Sequence, residues 1–202
     1  MDEVKAEVEA SGESSGKRRL PPGQTLTRKW PVLTRGEIPK ISLDTWQFRV
    51  WGLAETNRAW SWKQFNSLPQ VEIVSDSHCV TRWSRFDNRW RGVPAGEIVR
   101  RVRPLPEARF VMVHSYGGYS ASLPLEEFVT DGVLFAFAHD GKPLARRHGG
   151  PCRLVVPQLY FWKSAKWVVE VEFMEEDRPG FWEQYGYHGR GNPWAEERFR
   201  GR

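Results

Sequence analysis

Cys79 sits where a protein could use its sulfur. It lies in the stretch Ser75-Asp76-Ser77-His78-Cys79-Val80-Thr81-Arg82-Trp83-Ser84-Arg85, directly after Val71-Glu72-Ile73-Val74, which alternates like a half-buried strand. Arg82, Arg85, Arg89 and Arg91 follow it. Fixed positive charge stabilises a thiolate over a thiol, so this placement predicts a lowered pKa. The thiolate is the form that attacks electrophiles or binds a soft metal. Read from the residues alone, three roles stay open: nucleophile, metal ligand, or small buried hydrophobe.

Other chemistries have less behind them. Structural zinc needs four Cys or His ligands at tight spacing, and His78 with Cys79 supplies only a neighbouring pair. A Cys–His hydrolase has His114, His139 and His148 as possible bases, with nothing local to mark one as the partner. There is no Walker A sequence and no Gly-x-Gly-x-x-Gly; Gly117-Gly118 and Gly149-Gly150 are turn-like doublets. A net charge of +5 with eleven Trp keeps a rival of another class in view, a basic, aromatic-rich nucleic-acid-binding module without catalytic activity. Against it, the charges form no single stripe and the aromatics fall mostly at buried strand positions. Cys79 and Cys152 make no disulfide framework, and Cys152, between Pro151 and Arg153, reads as inert.

The elements that would position these residues are short. Trp46 to Gly52, Val71 to Val74, Phe110 to His114, Val133 to Ala138, Arg153 to Pro157 and Trp167 to Phe173 read as strands. Ser61 caps a helix over Trp62 to Leu68, Pro94 to Val102 forms a second, and Pro124 to Val129 makes a helical turn. Many strands with few helices predict an α+β fold of mixed β-sheets with short helices. Residues 1–22, rich in Glu, Ser, Gly and Lys, are expected to be disordered. Residues 23–202 make one domain, in which 175–202 wrap the surface as an extended tail. No apolar run reaches membrane-spanning length and the acidic N-terminus is no secretory signal, so the expected location is cytoplasmic.

Three segments fit one cofactor: Cys79 with its arginines; Tyr119-Ser120-Ala121-Ser122-Leu123-Pro124; and Asp140-Gly141-Lys142-Pro143-Leu144, followed by His148-Gly149-Gly150-Pro151-Cys152-Arg153 and Ser164-Ala165-Lys166. Together they resemble the molybdopterin-binding domain of the sulfite oxidase family, from about Trp30 to Phe173. The nearest resemblance is to the small bacterial sulfite-oxidase-like branch, related to the methionine-sulfoxide reductase catalytic subunit. The spacing from His148 to Arg153 and on to Lys166 matches the family's pterin-binding stretch.

The resemblance implies a sulfite-oxidase-type domain holding a molybdenum-molybdopterin cofactor, with Cys79 as the protein's metal ligand. His148, Arg153, Lys166, Ser164 and Ala165 would hold the pterin and its phosphate, the last two through backbone amides. Ser115 takes the place of a pterin-contacting Thr. Tyr119 matches an active-site tyrosine, and Arg82 and Arg85 are candidate ligands for an oxyanion substrate; a salt bridge to Asp87 or the acidic tail is the competing role for these arginines. Thr81-Arg82-Trp83-Ser84-Arg85 departs from the Asn-Arg-Arg of sulfite oxidase, and Trp83-Ser84 looks like the methionine-sulfoxide reductase branch. The implied activity is oxygen-atom transfer to or from a small sulfur or nitrogen oxo-compound. With no haem domain or export signal in view, electrons are expected to pass through a separate redox protein, with no nucleic acid or membrane as partner.

Overall fold

Strand β8, Leu134–His139, reads Leu-Phe-Ala-Phe-Ala-His and is buried along almost its whole length. Phe135 and Phe137 join the main core, whereas Leu134 and Ala136 face a smaller cluster with Trp90 and Val155. A strand covered on both faces has no solvent side to keep polar, so its apolar run is continuous rather than alternating. The computed structural model that shows this describes residues 19–201.

Two sheets are built around that strand. The first has the order β1 (Thr25–Leu26), β5 (Trp83–Pro94), β8, β10 (Arg153–Val155), with β4 (Val71–His78) also paired to β5 and β9 (Lys142–Pro143) to β8. The second has the order β3 (Arg58–Ser61), β2 (Gln47–Gly52), β11 (Val168–Met174), β6 (Phe110–Ser115), β7 (Ser120–Pro124). The pairs β1–β5 and β2–β11 are parallel and the others antiparallel, so both sheets are mixed. Phe48 and Val50 of β2, Val111 and Val113 of β6, and Val171 and Phe173 of β11 meet Phe135 and Phe137 in the main core. Burying each such side chain is worth about 2–3 kcal/mol.

The helices are short, as an α+β fold allows. In α1 (Trp62–Asn66) the Ser61 Oγ accepts the Gln64 N–H, while the Gln64 Oε1 accepts the Ser61 N–H, a capping box. Helix α2 (Ala95–Val102) buries Ile98 and Val102 and begins after Pro94, which ends β5. Helices α3 (Leu125–Phe128) and α4 (Phe181–Gln184) are single turns. None of the helices among the described residues is long and apolar enough to cross a membrane.

Three places differ from the sequence expectation. The arginine stretch after Cys79 is strand β5, in which Asn88 and Trp90 point inward while Arg89 and Arg91 face solvent. Residues 1–18 of the segment expected to be disordered lie outside the described residues. Arg19 is held on the domain: its Nε donates to Asp76 Oδ2 at 2.8 Å, and Pro21 is buried. The tail is not merely extended, because it contains α4 and places buried side chains under the surface.

Candidate active site

The turn between β4 and β5 carries Cys79. Its N–H donates to Trp83 O at 2.9 Å, and the Arg82 N–H returns to Cys79 O at 3.0 Å with Arg82 in the left-handed region at φ 71°. Both ends of the chain pin this turn. Gln24 Nε2 donates to Cys79 O at 3.0 Å, and Arg198 Nη1 donates to Val80 O at 2.7 Å. The sulfur, in a residue 7% exposed, accepts from Thr81 Oγ1 at 3.2 Å. Burial pushes this thiol above its ordinary pKa, against the smaller opposing pull of the Thr81 hydrogen bond and the Arg198 charge. The lowered value expected from the neighbouring arginines is therefore corrected: Arg85, Arg89 and Arg91 lie along β5, Arg82 is exposed, and desolvation dominates.

Cys79 opens onto a cavity of about 530 Å³ that Tyr119, His148, Arg153, Ser164 and Lys166 also line. Sequence segments up to 87 residues apart are brought together here, by the β4–β5 turn, the β6–β7 hairpin, and the loops flanking β10. An open hollow of about 660 Å³ behind the turn, bordered by Asp76, His78 and Asp131, holds no cysteine and none of these residues.

One region of the cavity is built from cations that form no salt bridge among the described residues. Arg153 is 2% exposed; its Nη1 donates to His148 O at 2.8 Å and its Nη2 to Ser164 O at 2.9 Å. Its guanidinium lies 4.3 Å from the Phe161 ring centroid, and no carboxylate pairs with it among the described residues. Burial pulls its pKa down to about 9. Lys166 Nζ donates to Leu33 O at 2.6 Å, and burial followed by the Arg153 charge lowers this amine to about 8. A buried charge without a counter-charge is costly, and a multiply charged anion offsets that cost for both side chains at once. Gly149, at φ 109°, makes the pair possible: a Cβ there would stand 2.9 Å from Lys166 Cγ and 3.0 Å from Arg153 Cβ.

His148 lies flat against Trp30, ring centroids 3.7 Å apart at 13° between planes. Burial first, and then Arg153, Arg147, Lys166 and His139, lower it to about 4, so the imidazole is neutral near pH 7. The Tyr119 hydroxyl donates to the Trp162 carbonyl, and burial raises its pKa. Trp83 Nε1, on the same lining, is buried without a hydrogen-bond partner among the described residues, an orphan donor that asks for an acceptor.

Four expected site residues are not on this lining. Arg85 donates to Asn88 Oδ1 and, at 2.9 Å, to Asp140 Oδ2, so neither Asp87 nor the tail is its partner. Arg82 is exposed and its Nη1 lies against Gly23. Ser115 sits one step behind, its N–H donating to Tyr119 O. Ala165 is buried, and its N–H donates to Lys163 O at 3.0 Å; the Ser164 N–H likewise donates to Phe161 O at 3.2 Å. In this structure both amides donate within the chain. Missing from the sequence reading are the aromatic residues Trp162, Trp182 and Tyr187 on the lining. The abundance of Trp was the available signal, but it named no positions.

Comparison with known proteins agrees with this geometry. The family model described as the oxidoreductase molybdopterin binding domain matches residues 35–182. The uncharacterized oxidoreductase YuiH of Bacillus subtilis is 43% identical over 182 residues, 90% of this chain and 92% of that protein. The protein-methionine-sulfoxide reductase catalytic subunit MsrP of Ralstonia nicotianae is 29% identical over 73% of this chain, which spans 51% of that relative. The sulfane dehydrogenase SoxCD from Paracoccus pantotrophus shares the fold at a TM-score of 0.66 and 19% identity, over 78% of this chain and 46% of the other. The chain thus belongs to the molybdopterin-binding oxidoreductases of the sulfite oxidase family, with the molybdenum-molybdopterin as its cofactor.

Proposed function

We propose that this enzyme transfers an oxygen atom to or from a small sulfur or nitrogen oxo-compound, exchanging electrons with a separate redox protein. The observation that carries the reading is that Cys79 and the cations Arg153 and Lys166 share one cavity. MsrP, named as a protein-methionine-sulfoxide reductase, supports sulfur-oxide chemistry in a relative.

The cofactor, when bound, supplies two-electron redox chemistry and exchange of an oxygen atom. The chain's residues bind, orient and exclude water. Cys79 would hold the metal through its sulfur, a donor suited to a soft centre. Arg153 and Lys166 would supply the positive charge that holds the phosphate of the pterin. Neutral His148, fixed by its stack on Trp30, would contact the pterin edge. Tyr119, whose hydroxyl already points to a backbone acceptor in the wall, orients substrate. Arg82 and Arg85 have no part in this version, since both are engaged outside the lining.

Turnover tests it. Protein from molybdate-supplied cells should oxidise a reduced viologen with an S- or N-oxide, or reduce ferricyanide with sulfite. Loaded enzyme that does neither contradicts the proposal.

A further inference from the structure

The matched domain ends at residue 182, yet the cavity wall continues beyond it, into Tyr187. Trp162, Trp182 and Tyr187 form one aromatic surface: the Trp162 and Tyr187 centroids are 5.1 Å apart at 86°, those of Trp182 and Tyr187 5.1 Å apart at 29°. Cys79, Tyr119, Trp162, Trp182 and Tyr187 line the same cavity, so this surface shares the space onto which the metal ligand opens.

The surface is locked from behind. Glu183, 1% exposed, accepts the Trp162 Nε1 hydrogen at 3.1 Å and pairs with Lys163 Nζ at 2.5 Å, both side chains essentially inaccessible. Lys163 Nζ also donates to Ser122 O at 2.7 Å and to Gly189 O. Gly180 makes room for the carboxylate, since a Cβ there would stand 2.6 Å from Glu183 Oε2. One buried ion pair therefore fixes Trp162 in the wall and ties it to the tail that carries Trp182 and Tyr187.

Charge at this wall is sparse. Arg82 and Arg85 are off the lining, and Arg153 and Lys166 face the cofactor phosphate in the reading above. Arg35 lines the mouth, exposed, with its guanidinium 4.1 Å from the Phe181 ring centroid and Glu37 two residues on. Aromatic faces are negative and apolar: they repel an anion and hold alkyl, aryl and sulfur groups. A desolvated oxyanion here would lack a buried cation.

We propose that Trp162, Trp182 and Tyr187 are the specificity-determining wall, that Glu183 is its positioning residue, and that the wall selects an uncharged organic S-oxide over a sulfite-like oxyanion. The inference rests on the oxygen-transfer reading. In the step it selects, the S–O bond breaks, and two electrons from the separate redox protein and two protons convert the oxide to a thioether and water.

The test uses molybdenum-loaded enzyme with methyl p-tolyl sulfoxide and reduced viologen, against sulfite and ferricyanide. Wild-type enzyme should prefer the sulfoxide, which should quench tryptophan fluorescence on binding. Trp182→Leu and Tyr187→Ala should raise the sulfoxide KM about tenfold, equivalent to about 1.4 kcal/mol, with kcat and molybdenum content little changed. Glu183→Ala should raise it similarly, and Glu183→Gln, which keeps an acceptor for Trp162, should recover part of the loss. A molybdenum-loaded enzyme that prefers sulfite, or whose sulfoxide KM is untouched in Trp182→Leu and Tyr187→Ala, overturns this inference alone. Loss of sulfite turnover in Arg35→Ala, with sulfite as the better substrate, would assign the site to an anion. Protein lacking molybdenum, or loaded enzyme inactive on both classes, overturns the oxygen-transfer reading as well.

Discussion

The indole of Trp30 and the imidazole of His148 lie face to face, 3.7 Å between centroids, in a wall of the cavity that holds Cys79. The stack desolvates the ring and fixes its edge, and Arg153, Arg147 and Lys166 add positive charge nearby. His148 is therefore expected to titrate near 4 by NMR in the cofactor-free protein. Trp30→Ala hydrates the ring and moves the midpoint upward, toward the ordinary histidine range. An unchanged midpoint would show that Trp30 does not desolvate it.

His139 makes stability depend on pH. Its ring packs on Trp30 and Trp90, within reach of Arg85, Asn88, Asp140 and Arg153, and burial lowers its pKa from 6.5 to about 4. The folded state holds the neutral form, so between these values the unfolded chain binds more protons. Stability from this group is complete above about pH 6.5 and falls as pH drops toward 4. His148 acts in the same window with the same sign. Urea midpoints should fall between pH 7.5 and pH 5, and His139→Gln should flatten the dependence.

Arg153 and Lys166 are expected to hold the cofactor. Each contributes charge-assisted hydrogen bonds worth about 1.5–3 kcal/mol, so Arg153→Ala or Lys166→Ala should weaken retention about tenfold to a hundredfold. Arg153→Lys should restore little, because the fork that reaches both His148 O and Ser164 O is lost. Pterin content after gel filtration measures this; full retention in both alanine variants would contradict the assignment.

Gly149→Ala tests the same region without touching a charge. The new Cβ meets Lys166 and Arg153 side chains at about 3 Å, and φ 109° is unfavourable for any side chain. Expected are a stability loss of about 1–3 kcal/mol in denaturant titration and lower pterin content.

Much of this was legible in the residues. Ser61 announced α1, and the run up to Ala138 announced a strand. Cys79, His148, Arg153 and Lys166, singled out by the spacing of the family resemblance, meet around one cavity. Long-range pairing was not legible. Arg85 finds Asp140 55 residues away, and Lys163 finds Glu183 20 residues away; no local pattern encodes either partner. The arginines after Cys79 looked like a charge cluster aimed at a thiol. Only Arg89 and Arg91 are two apart, and they lie on the outer face of β5, turned to solvent. The aromatics read as a possible base-stacking surface lie mainly in the core and the cavity wall, in an enzyme family.

The central claim is that Cys79 ligates the metal in this cavity. Paramagnetic resonance of the Mo(V) state, on protein with molybdenum measured by elemental analysis, tests it most directly. Stoichiometric molybdenum is expected in the wild type, and in Cys79→Ser a changed Mo(V) signal, lost turnover and partly retained pterin. An unchanged Mo(V) signal in Cys79→Ser, at equal molybdenum content, would contradict it.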